Sequence, residues 1–346
     1  MVDFSSPLRL HLDGNALVAN WRVMKSQGKA ACGAAVKANG YGLGARDVVI
    51  RLRDAGCRDF FVAHWNEALE IADLVPPDWI AVLNGIDATD LAAIKQLGAI
   101  PVLNTPKQVA MWKESGGGKC HVMIDTGINR LGIGRDQISD EFFAGLDIDI
   151  LMSHLASADE DCLQNAEQLQ HFQQLVGQIK ANRYSLANSA GVFLGDAYHF
   201  DLVRPGLALY GGVSRPEMAA KIVPVMQLKS RILQTRWLQP GETVGYNATY
   251  ACSTPTKVAT LSIGYADGYL RQLGGNGSIA VQNITLPVIG RVSMDLVTIN
   301  ISQRPELEEG DWVDVTYDLQ KTSLGTALSQ YELLTNLGHR FDRIWV

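Results

Sequence analysis

The chain has 346 residues, 47% of them apolar, with 30 Lys+Arg set against 36 Asp+Glu. That length and composition suit a globular protein of two domains, and a mildly acidic balance without a long basic run argues against nucleic acid as a partner. Residues 1–14 mix Asp3, Arg9 and Asp13 among their apolar neighbours and offer no signal-peptide core, and no later segment is apolar enough to span a bilayer, so a cytoplasmic location without a membrane partner is expected.

From residue 30 to about 210, short apolar runs alternate with amphipathic stretches, the rhythm of repeated βα units. Strands are predicted to end near Val36, Ala63, Asn84, Asn104, Asp125, Ser153, Asn188 and Tyr210, with helices over 45–55, 66–74, 90–97 and 163–180 between them. Eight such strands fit a (β/α)8 barrel better than an open doubly wound sheet. After roughly Pro224 the texture changes to β-branched runs punctuated by Gly, Pro and Asn, at 258–263, 278–281, 286–289, 296–301 and 312–315, with a short helix-like stretch over 327–337. The expected fold is α/β plus β: a barrel over 1–222, whose first residues could pack with the second domain, followed by a mostly β domain over 223–346. Cys32, Cys57, Cys120, Cys162 and Cys252 are scattered without a CxxC pair, so they read as reduced, mostly buried thiols, and no metal site is expected.

In a barrel the loops after the strand C-termini converge on one mouth, which makes the strand ends the place to search for chemistry. Lys37, Asn39 and Tyr41 follow the first strand, Arg130 the fifth, His154 the sixth, Asn188 and Ser189 the seventh, and Arg204 with Gly206 the eighth. A lysine directly after an apolar strand is partly desolvated, so its amine is more easily kept neutral and can attack an aldehyde. Alone, Lys37 would read as a solvated strand-end lysine, His154 as a satisfied core histidine and Arg130 as half of a surface salt bridge.

The string Ala35-Val36-Lys37-Ala38-Asn39-Gly40-Tyr41-Gly42 resembles the cofactor-lysine motif of the alanine racemase family, and further matches run the length of the chain. The resemblance implies that Lys37 forms a Schiff base with pyridoxal phosphate and that Tyr41 reaches the phosphate. In Asp125-Thr126-Gly127-Ile128-Asn129-Arg130-Leu131-Gly132 it gives Arg130 the substrate carboxylate, a task suited to a permanently charged guanidinium with paired donors. Ser153-His154-Leu155-Ala156-Ser157-Ala158-Asp159 is similar to the segment with a histidine beside the cofactor ring and an aspartate, Asp159, near the substrate entryway. Asn188-Ser189-Ala190-Gly191 and Arg204-Pro205-Gly206-Leu207 match the parts that bind phosphate and pyridine nitrogen. Ser189 would give a hydroxyl and Gly206–Leu207 backbone N–H groups, while Arg204 would donate a hydrogen bond to the ring nitrogen without protonating it.

In the second domain, Gly245-Tyr246-Asn247-Ala248-Thr249-Tyr250 resembles the region of the family's catalytic tyrosine, which assigns that role to Tyr246. Ile263-Gly264-Tyr265-Ala266-Asp267-Gly268 implies that Tyr265, with Arg271, shapes the entryway and the hydrogen bonding around Tyr246. Gly290-Arg291-Val292-Ser293-Met294-Asp295 places Arg291 and Asp295 beside Met294, whose backbone N–H would contact the substrate carboxylate, and Tyr331 corresponds to a further phosphate-side tyrosine. The family forms head-to-tail homodimers, so Tyr246 and Met294 are expected to act at the partner's barrel mouth. Its activity implies interconversion of L- and D-alanine by Lys37 and Tyr246 as two bases, supplying D-alanine for bacterial cell-wall peptidoglycan. One departure stands out: many relatives carry, two residues before the Asp of the DTG string, a lysine that becomes carbamylated and orients the arginine, and this chain has Met123 there. A thioether cannot form a carbamate. Alternatives at this stage are a racemase of broader specificity, accepting serine or other amino acids, an amino-acid decarboxylase of the same fold, and a non-catalytic cofactor carrier, which the full β domain disfavours.

Overall fold

A computed structural model describes residues 5–275, 277–282 and 284–346, with the side chains of residues 140 and 141 also left aside. The chain divides into two compact units, Asn15–Val223 and, for its described part, 5–14 with Pro224–Val346. Residues 1–4 of the N-terminal stretch lie outside the described residues.

The first unit is a barrel of eight parallel strands. Ala34–Ala35 pairs with Phe60–Val62, and the order continues through Ile80–Val82, Ile100–Leu103, Lys119–Asp125, Asp147–Met152 and Arg183–Ser185. Leu202–Val203 closes the ring by pairing with Ala31–Cys32, the start of the first strand. On its other side, Asp201 N donates to Tyr184 O at 3.0 Å and Arg204 N to Ala187 O at 2.9 Å. These strands are short and apolar because their side chains face only the barrel interior or the helices; Phe60, Val62, Ile80, Val82, Val102, Leu103, Val122 and Ile124 are all fully buried. Each such side chain is worth about 1.5–3 kcal/mol on burial.

Helices Ala45–Asp54, Trp65–Ile71, Leu91–Leu97, Pro106–Glu114 and Leu163–Gln178 cover the strands. Their local signals are plain: Pro106 opens its helix behind Thr105, whose side chain accepts from Gln108 N, and Gly98 in a left-handed conformation ends Leu91–Leu97. At the strand N-terminal end, Arg183 bridges Asp59 at 2.8 Å and Asp149 at 2.7 Å. Charge at this end pins the barrel closed, leaving the other end for chemistry.

Two expected strand ends are corrected. The eighth strand stops at Val203 instead of running to Tyr210, because Pro205 has no N–H to give a ladder and Leu207–Tyr210 winds into a 3-10 turn. The seventh ends at Ser185, three residues before Asn188, whose side chain accepts from Gly191 N at 2.9 Å and turns the chain.

The second unit is an antiparallel barrel. Its path runs Thr256–Leu261, Val297–Asn300, Ile284–Ile289, Ser278–Val281, Trp312–Val315 and Met226–Leu238, and the last pairs back onto the first. Leu8–Leu12 adds to Met226–Leu238, and Asp342–Trp345 adds in parallel to Leu8–Leu12. The helix expected over 327–337 is the shorter Gln330–Thr335, preceded by Leu319–Gly325. Four cysteines are buried and Cys162 is exposed, all as free thiols. Among the described residues, no helix is long and apolar enough to cross a membrane.

Candidate active site

The chain leaves the first barrel strand through Lys37 and at once enters a left-handed turn: Ala38, Asn39, Gly40, Tyr41 and Gly42 have φ of 53°, 53°, 60°, 54° and 85°. Gly40 N donates to Val36 O at 2.8 Å and Gly42 N to Ala38 O at 2.9 Å. For a non-glycine residue this region costs about 1–2 kcal/mol, and Ala38, Asn39 and Tyr41 all occupy it. Strain of that kind persists only where the surroundings over-determine it, and it clusters at functional sites. Asn39 contributes by accepting from Ala45 N at 2.8 Å, which starts the following helix. Lys37 itself is half-buried. Burial pulls its amine below the ordinary lysine range, Arg130 pushes the same way, and Glu67 opposes both.

The turn delivers Tyr41 into the barrel wall, where its ring stacks on Tyr210 with centroids 4.5 Å apart. Its hydroxyl lies over Gly206 so closely that a Cβ there would sit 2.2 Å from the oxygen. Ser189 meets the same loop from the other side, its Oγ accepting from Gly206 N at 2.9 Å and Ala208 N at 3.2 Å. A hydroxyl that accepts two amides still has its own proton to donate. Tyr41, Ser189 and the Gly206–Leu207 backbone therefore form a small cradle of donors with no room for a side chain, the shape and chemistry that a phosphate needs.

Arg204 is 7% exposed, and among the described residues no carboxylate pairs with it. Its two terminal nitrogens are held by Ser185 Oγ and Ser153 O. Burial lowers its pKa to about 10, so it remains a cation at neutral pH. A buried guanidinium without an anion is costly to retain and is explained by a polar acceptor that belongs to a ligand. His154 is pushed down to about 3, chiefly by burial and then by Arg204, Arg130 and Lys37, so it is a neutral imidazole at any ordinary pH. His154 thus feels the charges of Arg204, Arg130 and Lys37, and Lys37 that of Arg130, across a single mouth.

Arg130 is exposed, and its position is set through its backbone. Asp125 Oδ1 accepts from Gly127 N at 2.8 Å and Ile128 N at 3.0 Å, while Oδ2 accepts from Arg130 N at 3.1 Å. Met123 is buried two residues upstream, its Cγ 3.2 Å from where a Cβ on Gly132 would lie, so the thioether fills packed space. Asp159 is exposed on a loop tied down by Arg215, which donates to Ala158 O at 3.0 Å and Asp161 Oδ1 at 2.6 Å.

In the second unit Tyr246 is 67% exposed and Met294 54% exposed. Tyr246 sits on a tight turn in which Gly245, Asn247 and Ala248 have φ of 75°, 62° and 49°. The loops with Tyr265 and Met294 are laced together: Tyr265 N donates to Ser293 O at 3.1 Å and Ala266 N to Met294 O at 3.0 Å. Gly264 permits this approach, since a Cβ there would come within 2.3 Å of Met294 O. Arg340 braces the pair, reaching the buried Asp267 at 2.6 Å and Asp295 at 2.8 Å. The Arg271 guanidinium lies 5.1 Å from the Tyr265 ring centre, and Arg271 and Arg291 line one concavity of about 680 Å³. Tyr331 is half-exposed in the first turn of Gln330–Thr335, a helix capped by Ser329 and Glu332.

Several residues that arrange this site were not singled out from the sequence. Glu67 accepts from three backbone amides around Lys37, Gln168 holds His154 O and Ala156 N, and Arg215 and Arg340 brace loops. Glu67 alone had a legible signal, an acid three residues after a strand-end His64 at capping-box spacing.

A neutral-prone lysine, a phosphate cradle and a buried cation at one barrel mouth define the class: barrel enzymes that work through a phosphorylated ring cofactor held on a lysine. The family models for the alanine racemase N-terminal domain and C-terminal domain match residues 12–214 and 225–345. The chain belongs to the alanine racemase family. It is 39% identical to an alanine racemase of Methylobacterium nodulans, covering 98% of this chain and 96% of that one. An alanine racemase of Acidiphilium cryptum is 37% identical over 97% of this chain and 98% of its own length. Among solved structures, an alanine racemase from Bartonella henselae with covalently bound pyridoxal phosphate matches with a TM-score of 0.92 at 33% identity, covering 99% of this chain and 100% of that one.

Proposed function

We propose that this chain interconverts L- and D-alanine with pyridoxal phosphate held on Lys37, as a cytoplasmic homodimer in which each barrel mouth is completed by the partner's β domain, and that it supplies D-alanine for cell-wall peptidoglycan. The observation that carries the reading is the barrel mouth itself, where Lys37, the Tyr41–Ser189–Gly206 cradle and the buried Arg204 fit a lysine-linked phosphorylated pyridine. When bound, the cofactor draws electron density from the substrate's Cα and makes its proton removable.

Tyr41, Ser189, the Gly206 and Leu207 backbone and Tyr331 hold the phosphate, with Asn188 shaping the turn that presents Ser189. Arg204 offers the ring nitrogen a hydrogen bond while keeping its own proton, and neutral His154 lies beside it. Arg130 and the Met294 amide hold the substrate carboxylate, which fixes the two faces of Cα. Lys37 moves the proton on one face and Tyr246 on the other. Tyrosine is a poor base at its reference pKa of about 10 and needs nearby positive charge. Asp159, Tyr265, Arg271, Arg291 and Asp295 shape the entryway and the support behind it. The exposure of Tyr246, on a tight turn, and of Met294, on a braced loop, supports their use at a partner's site.

The test is an assay of the purified protein across a panel of amino acids. D-alanine formed from L-alanine supports the proposal, and faster turnover of serine or another amino acid would replace alanine as substrate. Release of CO2 would make the protein a decarboxylase, and neither product would make it a carrier.

A further inference from the structure

We propose that Glu67 is a positioning residue for Lys37, holding the strained left-handed turn through which the lysine is presented at the barrel mouth. The inference rests on Lys37 being the reactive lysine, and it assigns a task to a side chain in the next βα unit.

The geometry is specific. Oε1 of Glu67 accepts from Ala38 N at 2.6 Å, the amide directly after Lys37. Oε2 accepts from Ala63 N at 2.7 Å and His64 N at 3.2 Å, at the end of the neighbouring strand. One carboxylate therefore ties the exit of the first strand to the exit of the second. It does so at the residue where φ first turns positive, Ala38. Charge-assisted bonds of this kind are roughly twice as strong as neutral ones, so they can offset much of the cost of a left-handed Ala38.

Helix capping alone would need only the His64 and Ala63 contacts, which lie in Glu67's own βα unit. The shortest contact goes instead across to Ala38. Neighbouring units use neutral amides for comparable work: Gln108 accepts from Asn104 N at 2.8 Å and donates to Asn84 O at 3.2 Å, and Gln168 clamps Ala156 N and His154 O. The acid stands at the loop next to the lysine, where its charge also acts on the amine. The charged groups bearing on Lys37 are Arg130 and Glu67, with His154 in electrostatic reach; His64, beside Glu67, pairs its Nδ1 with Asn84 at 3.2 Å.

Glu67→Gln tests this. An amide cannot accept at both ends, so the variant loses either the Ala38 bond or the Ala63 and His64 bonds, and it loses the charge in either case. Hydrogen exchange of the holoenzyme should accelerate about tenfold or more in the peptide spanning 36–42, a readout independent of activity. The kcat for alanine should fall about tenfold or more, with KM changing less, because a misplaced base affects the proton-transfer step. The pH limb belonging to the lysine should move to lower pH, since the one group raising its pKa is gone. Gln108→Ala is the matched control: it should lose thermal stability while leaving both the exchange of 36–42 and the pH profile unchanged. Should Glu67→Gln fold poorly, Glu67→Asp keeps the charge and should retain the pH limb while still loosening 36–42. Unchanged exchange and an unchanged pH limb in Glu67→Gln would overturn the proposal, as would identical effects from Gln108→Ala. Borohydride mapping of the cofactor to a lysine other than Lys37 would instead overturn the function beneath it.

Discussion

Gly206→Ala is the sharpest test of the phosphate cradle, because the structure makes its cost calculable. The added Cβ would lie 2.2 Å from the Tyr41 hydroxyl, 2.9 Å from its Cζ and 3.3 Å from Ala35 Cβ. Ordinary contact is about 3.5 Å, so something must move by roughly 1 Å. The Tyr41 ring cannot swing away cheaply, since it stacks on Tyr210 and its own backbone is left-handed at φ 54°. The alternative is for the Gly206 backbone to back off, which stretches its 2.9 Å bond to Ser189 Oγ. Overpacking of this sort costs about 1–3 kcal/mol of stability. Loss of one hydrogen bond to a charged phosphate costs about 1.5–3 kcal/mol of binding, roughly a 10- to 100-fold weaker cofactor Kd. Titration of the apoprotein with pyridoxal phosphate, followed by visible absorbance, measures the second quantity, and thermal unfolding of the apoprotein measures the first. Tyr41→Phe should weaken the cofactor similarly while leaving apoprotein stability nearly intact. A Gly206→Ala protein with parental Tm and parental cofactor Kd would refute the cradle.

The purified protein should be yellow, and borohydride should fix the cofactor to Lys37; Lys37→Ala should lose both, and a peptide-mass map placing the label on another lysine would refute the assignment. An unfolded imidazole takes up a proton below about 6.5, whereas His154 in the fold resists protonation down to about 3, so the unfolded state binds more protons in that window and stability falls as pH drops through it. Denaturant titrations from pH 7 to 4 should show a decline of up to about 1.4 kcal/mol per pH unit from this group, and His154→Gln should lower the slope by that amount, leaving the share of the likewise buried His121. Met123→Lys should acquire bicarbonate-sensitive activity if the space around the thioether admits a carbamate, while the parent should be indifferent; bicarbonate dependence in the parent would show that Met123 is not at that position.

How legible all this was depended on how local the signal is. The parallel barrel shows in the sequence because its strands are apolar runs that lead into polar residues, as in Val122 to Asp125, and because helices such as Pro106–Glu114 begin with a cap of their own. The strand Met226–Leu238 was not visible, because Lys229 and Arg231 interrupt the buried Leu228, Ser230 and Ile232, one of them polar itself, and the alternation is lost among polar residues after Leu233. The eighth strand was drawn too long because Leu207–Tyr210 is as apolar as any strand, and only Pro205 signals the break. At the mouth, Lys37 and Arg204 are conspicuous because they directly follow buried strands. The residues that hold them are not. Glu67 has a local capping-box spacing, but its reach to Ala38 is not local, and Ser185 and Gln168 likewise act on atoms distant in sequence; no local pattern encodes such contacts. The missing lysine at 123 was plain from the sequence, but what fixes the Arg130 backbone became visible only with the three amides gathered by Asp125.

The two-base proposal makes a demand that rate measurements alone cannot meet. The equilibrium constant between enantiomers is unity, so any substitution must change kcat/KM equally in both directions, and no comparison of forward and reverse rates says which residue serves which face. Isotope exchange separates them. In the family reading Lys37 takes the proton of D-alanine and Tyr246 that of L-alanine, and a single rigid base returns a proton mostly to the face it came from. Tyr246→Phe removes the phenol proton while keeping the ring, and its 67% exposure in the fold means that little stability depends on the hydroxyl. The variant should be nearly inactive in racemisation yet still exchange the α-proton of D-alanine with deuterated solvent, provided the lysine amine trades its proton with solvent before returning it. L-Alanine should stay largely unexchanged. Lys37 must remain competent for this result, so the borohydride label should still map to it in the variant. Exchange of both enantiomers at similar rates would mean that Lys37 reaches both faces, and racemisation at the parental rate would mean that Tyr246 is not a base at all.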